Sequence, residues 1–269
     1  MRGENNILIE MKDIKPPELM NILLRMENKK KLTDAEIDIL CFFSQHKEQD
    51  YRDNVLKAAS IVIGSQEGRN KKRLMMMMLA SLSDEYSGYF ALKGLTGLLN
   101  KSFVPLLGSI LMNYRMPLIR IQAVEALQAI RTNSIIPYLE YALNDRHNVV
   151  RDYCANALVS LNSTRSISKI KDRLKLEKNM DTKVGFWGAL YGLTDETKWF
   201  EKLIKALSYP DSVVIDHASS NLGMCIEEGM LEINDVLPHL KDAYRKQKDK
   251  KARTMLKKHI NKLERLNNR

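Results

Sequence analysis

The sequence is poor in the residues that staple or punctuate small folds. Its 269 residues include three cysteines, seven prolines and twelve glycines. Cys41, Cys154 and Cys225 are odd in number and far apart, with no CxxC pair. No disulfide framework is written here, and a reducing compartment is expected. No stretch alternates apolar and polar residues between turn residues, which argues against a sheet. The longest apolar run, residues 74–80, is far below the roughly 20 residues a membrane-spanning helix needs. Residues 1–15 carry acids, lack a sustained apolar core, make a poor signal peptide and read as a tail. A cytoplasmic location is therefore expected. There is no Gly-rich phosphate loop after a strand, and no GxSxG. His46, His147, His217, His239 and His259 stand singly, none followed by Glu and no two at ligand spacing on one helix. No metal, no cofactor and no catalytic residue are expected.

What is present is a repeat. Leu118-Ile119-Arg120 is followed by Ala123, Ala126, Leu127 and Ile130; Val149-Val150-Arg151 is followed by Cys154, Ala157, Leu158 and Leu161. The two copies lie 31 positions apart. Leu95, Leu127, Leu158, Leu190 and Leu222 extend the ladder at spacings of 32, 31, 32 and 32. The residue before each is Gly94, Ala126, Ala157, Ala189 or Asn221, mostly small, which lets two helices approach closely. The preludes Val104-Pro105, Ile136-Pro137 and Leu237-Pro238 mark first helices, and Trp199 opens another stretch of that kind without the proline. Self-similarity at such a period is the mark of a stacked helical array. Before it, Pro16-Pro17 opens a helix, and Thr33-Asp34-Ala35-Glu36 reads as a capping box for a second. The run Met75-Met76-Met77-Met78 suits an irregular core or an adaptable surface.

These motifs, "LIR..AVEAL..I" and "VVR..CANAL..L", resemble HEAT-like repeats, most of all the short variety found in bilin lyases. The resemblance covers about residues 59–240 and implies an all-α, right-handed α-solenoid of helical hairpins with capping helices at both ends. The expected organisation is an N-terminal helical cap at 1–50, repeats at 51–240 and a basic capping helix at 241–269. The resemblance also implies a ladder of loop Asp and second-helix Arg. Asp145 and Arg151 fit it, Asn113 stands in place of the acid for Arg120, Lys183 is a weaker match, and Ile215 has lost the cation. The histidines lack the His-Glu motifs that a HEAT-like iron hydroxylase would require.

Second helices of such arrays usually line the partner-binding face. Two columns are aligned there by the period: Phe90, Gln122, Tyr153, Gly185 and His217, then Lys93, Glu125, Asn156, Gly188 and Ser220. Only Lys93 is basic, so a groove for duplex DNA, as in HEAT-like glycosylases, is not expected. Gly185, Gly188 and Gly192 share one helix face. They form either a dent for a partner, with Gly185 and Gly188 deepest, or a packing surface for a neighbouring repeat. The partner-binding candidates are Tyr153, Asn156, Gly185, Gly188, His217 and Ser220.

Charge is uneven. The chain is formally +10, and residues 241–269 carry twelve basic and three acidic side chains, leaving the rest nearly neutral. Ala252, Met255, Leu256, Ile260 and Leu263 form an apolar stripe there. Lys250, Lys251, Arg253, Lys257, Lys258 and Lys262 are the candidates for a polyanion or acidic partner. The expected function is a non-catalytic protein-interaction scaffold or adaptor, possible subtypes being an inhibitor or immunity-type protein. Nucleic-acid or acidic-partner binding through the basic helix is the alternative, and a bilin-lyase-like enzyme is the third reading.

Overall fold

A computed structural model describes residues 14–84 and 86–267; the opening tail lies outside them. Among the described residues there are fifteen α-helices, four short 3-10 turns and no strand. They form two compact units that divide between Ile130 and Arg131.

Unit 1 holds α1 (Pro16–Glu27), α2 (Asp34–Phe43), α3 (Gln49–Val62), α4 (Gly68–Ser81), α5 (Gly88–Leu95), α6 (Val104–Asn113) and α7 (Pro117–Ile130). Helices α2/α3, α4/α5 and α6/α7 pack as pairs, and the second helices α3, α5 and α7 stack in that order, with α1 against α3. Proline opens α1, and Thr33 and Glu36 close a full capping box on α2. The approach of α5 to α3 is as close as the small residue at Gly94 implies. A Cβ there would stand 2.9 Å from the Ser60 Cα and 2.7 Å from the Met78 Cε. Of the four methionines, Met77 and Met78 are buried and Met76 is 60% exposed.

Unit 2 holds α8 (Ile136–Ala142), α9 (Asn148–Ser160), α10 (Ile167–Leu176), α11 (Met180–Thr194), α12 (Thr197–Ala206), α13 (Ser212–Glu227), α14 (Ile233–Lys246) and α15 (Lys250–Asn267). Its pairs are α8/α9, α10/α11, α12/α13 and α14/α15, and α9, α11, α13 and α15 stack in one column. The basic helix is thus the second helix of a pair and a full member of the column. Residues 50 and 241, where the terminal caps were expected to end and begin, fall inside α3 and α14.

The ladder leucines Leu95, Leu127, Leu158, Leu190 and Leu222 are all 0% exposed, one on each of α5, α7, α9, α11 and α13. Each such burial contributes roughly 1.5–3 kcal/mol. The chain leaves each of these helices through a left-handed residue: Gly97, Arg131, Asn162, Asp195 and Gly229. That conformation ends a helix and turns the backbone toward the next pair.

A second ladder is polar. Arg52 Nε and Nη2 donate to Asp84 Oδ2 at 3.0 and 2.7 Å, and Nη1 donates to the carbonyls of His46 and Lys47. Arg120, 2% exposed, donates to the carbonyls of Tyr114 and Arg115. Arg151 donates to the Asp145 carbonyl at 2.8 Å and, through Nε and Nη2, to both carboxylate oxygens of Glu177 at 2.7 and 2.8 Å. Arg120 and Arg151 are therefore buried groups committed to the fold. In unit 2 the partner carboxylate is Glu177, which sits in the turn of the following pair.

Candidate functional site

The column α9–α11–α13–α15 carries most of the candidate residues, so its packing decides what they can do. Tyr153 on α9 is 37% exposed, and Asn156, one turn on, is half-buried. Gly185 and Gly188 on α11 are buried. No open dent lies over them: a Cβ at Gly185 would fall 1.5 Å from Asp152 Oδ1, and one at Gly188 would fall 1.9 Å from Asn221 Oδ1. The space is filled from both sides, by a carboxylate from α9 and an amide from α13. The deepest point expected of a binding surface is thus a packing surface between repeats. Asn221 breaks the small-residue rule at its ladder position, and Gly188 supplies the room it needs. Gln122, placed in an outward column by the period, is likewise buried in unit 1.

Around Gly185 three polar groups meet. His217 Nδ1 donates to Asp181 Oδ1 at 2.8 Å, and Asp152 Oδ2 lies 3.6 Å from His217 Nε2. Asp152 Oδ1 is buried without a hydrogen-bond partner. Burial pushes the Asp152 carboxyl up to about 6, against the pull of His217 and with the help of Asp181. Burial opposes charge on His217, but the Asp181 hydrogen bond and the Asp152 carboxylate outweigh it and hold its pKa above the ordinary value. Among the described residues no group of three or more His, Cys, Asp and Glu side chains could hold a metal ion. Burial also pushes the Cys225 thiol up to about 12, which leaves no thiolate for nucleophilic chemistry.

Next along the column, α13, α14 and α15 enclose a groove of about 1110 Å³. Ser220 lines it together with Lys250, Arg253, Lys257, Lys258 and Lys262, so five of the six candidate cations meet one candidate from the second-helix columns. Lys251 is exposed outside the groove. The apolar stripe docks the helix: Ala252, Leu256, Ile260 and Leu263 are buried, and Met255 is half-buried. The Arg253 guanidinium stacks on Tyr244 at 4.5 Å and Lys257 stands 5.9 Å from the same ring. Arg253 also holds the Tyr244 hydroxyl below its ordinary pKa. On the groove floor His259 Nε2 donates to Asp216 Oδ1 at 2.7 Å, and Lys262 pairs with Glu227 at 2.6 Å. The carboxylates that partner His217 and His259 lie at 36 and 43 residues' separation. No local motif announces them.

A family model described as HEAT repeats matches residues 104–183. Among solved structures, the complex of CpcE and CpcF of phycocyanin lyase from Nostoc sp. PCC7120 aligns at a TM-score of 0.55 and 18% identity, covering 88% of this chain and 96% of that one. An engineered protein aligns at a TM-score of 0.30 and 14% identity, over 87% and 98%. No curated protein matches the sequence. The chain therefore contains HEAT-like repeats, and its fold class is an all-α solenoid of helix pairs, as the repeat spacing and the bilin-lyase-type resemblance implied. No described helix is long and apolar enough to cross a membrane.

Proposed function

We propose that the protein is a non-catalytic scaffold that holds a partner protein on the second-helix face of unit 2. Helix repeats of this kind serve protein interaction through such a face. The observation that carries the reading is the place of α15 in the column. It sets a docked, strongly charged helix beside Ser220, so the groove and the half-open residues of α9 belong to one stack. Of the candidates, Tyr153, Asn156, Ser220 and the cations of α15 offer contact area, and His217 offers its edge. Gly185 and Gly188 act indirectly, by holding Asp152 and Asn221 in place.

The test is capture from the native cell with the full chain as bait, read by quantitative mass spectrometry. A Tyr153→Ala, Asn156→Arg double variant runs beside the wild type. One protein is expected to be enriched by wild type and lost from the variant, with both baits melting at the same temperature. Equal capture by both baits, or no specific protein at all, would overturn the reading.

A bilin-lyase-like activity is the second reading. It draws on the fold shared with the CpcE–CpcF complex alone, and no residue of the groove is assigned to it. Co-expression with a bilin and a candidate chromophore-bearing protein tests it by absorption spectroscopy; an unchanged spectrum removes it.

A further inference from the structure

We infer that the groove of α13–α15 is a binding site for an acidic peptide segment, rich in glutamate or aspartate, of the partner protein. The inference rests on the protein-scaffold reading and names the chemistry of one part of that surface.

Seven lysine and arginine side chains line the groove and no carboxylate does. Lys250, Lys257, Lys258 and Arg265 recur at helical spacing on the side of α15 opposite its buried stripe. From Lys250 to Arg265 they form a cationic rail about 22 Å long, at 1.5 Å per residue. About seven residues of extended chain match that length, at roughly 3.3 Å each. Among the described residues, Lys250, Lys258 and Arg265 take part in no ion pair.

The charge is also placed against the helix's own interest. Lys250 and Lys251 stand in the first turn of α15, which holds no acid, although the positive end of a helix dipole disfavours cations there. Arg253/Lys257 and Lys258/Lys262 are like-charge pairs one turn apart, which weaken a helix. A helix charged only for solubility would mix both signs, as the distant exposed pair Lys175–Asp172 does. Asp249, which accepts from the Ala252 N–H at the helix start, and Glu227, paired with Lys262, offset only part of this surplus. A local rule broken over three turns is the pattern of a binding site. An anionic ligand relieves both penalties at once.

The surroundings favour a peptide over a nucleic acid. The rail stops where the column continues: Asp216 and Asp181 follow on α13 and α11. A phosphate backbone running along the column would leave the cations and meet carboxylates. A short acidic segment ends within the groove, and the stacked Tyr244 and half-buried Ser220 offer neutral contacts beside it.

The experiment uses the full chain and a fluorescein-labelled hexaglutamate, with hexaglutamine and a single-stranded RNA hexamer as parallel probes. The groove variant is Lys250→Gln, Lys257→Gln, Lys258→Gln. A charge-matched control is Lys101→Gln, Lys175→Gln, Lys205→Gln. Hexaglutamate is expected to bind wild type, hexaglutamine not, and the groove variant is expected to raise the Kd about tenfold or more while the control changes it less than about twofold. The dependence on salt should flatten in the groove variant alone. Equal losses in both variants, no binding of hexaglutamate at low salt, or tighter binding of RNA lost in the groove variant would each overturn the inference. If the triple variant melts early, Lys258→Gln alone is read by the same criteria with a loss of about twofold or more expected. In native capture, a partner kept by the groove variant and lost by the Tyr153/Asn156 variant would refute this inference and leave the scaffold reading standing.

Discussion

Helices α11 and α15 occupy equivalent places in one column, and they solve opposite problems. Helix α11 has neighbours on both sides. Nine of its fifteen residues are buried, spread around the whole circumference, as a helix enclosed by others must be. Its glycines receive Asp152 and Asn221, so even polar groups from α9 and α13 are spent on packing. Helix α15 buries one stripe of four residues and turns its cations outward. Polar side chains near α11 are therefore structural, and those on α15 are available for contact. Residue type alone does not decide the role; the number of neighbours does.

The contrast breaks most visibly at Glu177, which accepts from Arg151 and from the N–H groups of Lys178 and Asn179 at the entry to α11. The pair is buried, at 8% and 2% side-chain exposure. Burial raises the Glu177 pKa, but the Asn179 N–H and the Arg151 guanidinium outweigh it and hold it low. Glu177→Ala strands a buried guanidinium, and a loss of about 3–5 kcal/mol is expected in chemical denaturation. Gly188→Leu comes next, because its side chain must displace Asn221 from its 3.0 Å bond to the His217 carbonyl. A loss of about 1–3 kcal/mol is expected, and unchanged stability would restore the open dent.

The pH dependence around Gly185 sharpens the same point. The folded pKa of Asp152, about 6, lies above its ordinary 3.8. Folding thus favours its protonated form, and the cost of its charge is complete above pH 6 and gone below pH 3.8. His217, raised above 6.5, adds stability below that value that is lost as the pH rises through its folded pKa. Both make unit 2 more stable at pH 5 than at pH 8, by roughly 1–3 kcal/mol. The gain ends on the acid side, where Glu177 loses its depressed charge below its ordinary 4.5. Thermal melts at the two pH values should separate for wild type and lie closer together for Asp152→Asn, where the His217–Asp181 contribution remains. The smallest effect belongs to α15. Neutralising Lys250, Lys257 and Lys258 should change stability by less than about 1 kcal/mol, since exposed charges contribute little. A drop comparable to that of Glu177→Ala would erase the distinction between the two helices.

The period carried the architecture because the ladder leucines are spaced by the repeat itself, and all five are buried where the spacing places them. The Thr33 cap and the docked stripe of α15 were legible for the same reason, being local patterns. The site was less so. A period aligns positions but does not say how far a neighbouring side chain reaches, so Gly185 and Gly188 gave no sign of Asp152 and Asn221 above them. Glu177, Asp181 and Asp216 act across repeats, on partners 26 to 43 residues away, and pairwise reach at that distance leaves no motif. The one available signal was Glu177 in the turn after α10, which a strict loop-Asp rule passes over.

The glycines of α11 also limit how the chain can be rebuilt. Repeat arrays are treated as modular, with units exchanged or inserted at will. Here the pair α10/α11 is keyed to its neighbours by two complementary fits, Asp152 into Gly185 and Asn221 into Gly188. A consensus unit grafted in place of 167–194 would bring a Cβ to both positions and jam. The smallest block exchangeable without disturbing these fits is therefore α9 through α13, and enlarging Gly185 or Gly188 calls for a matching reduction at Asp152 or Asn221.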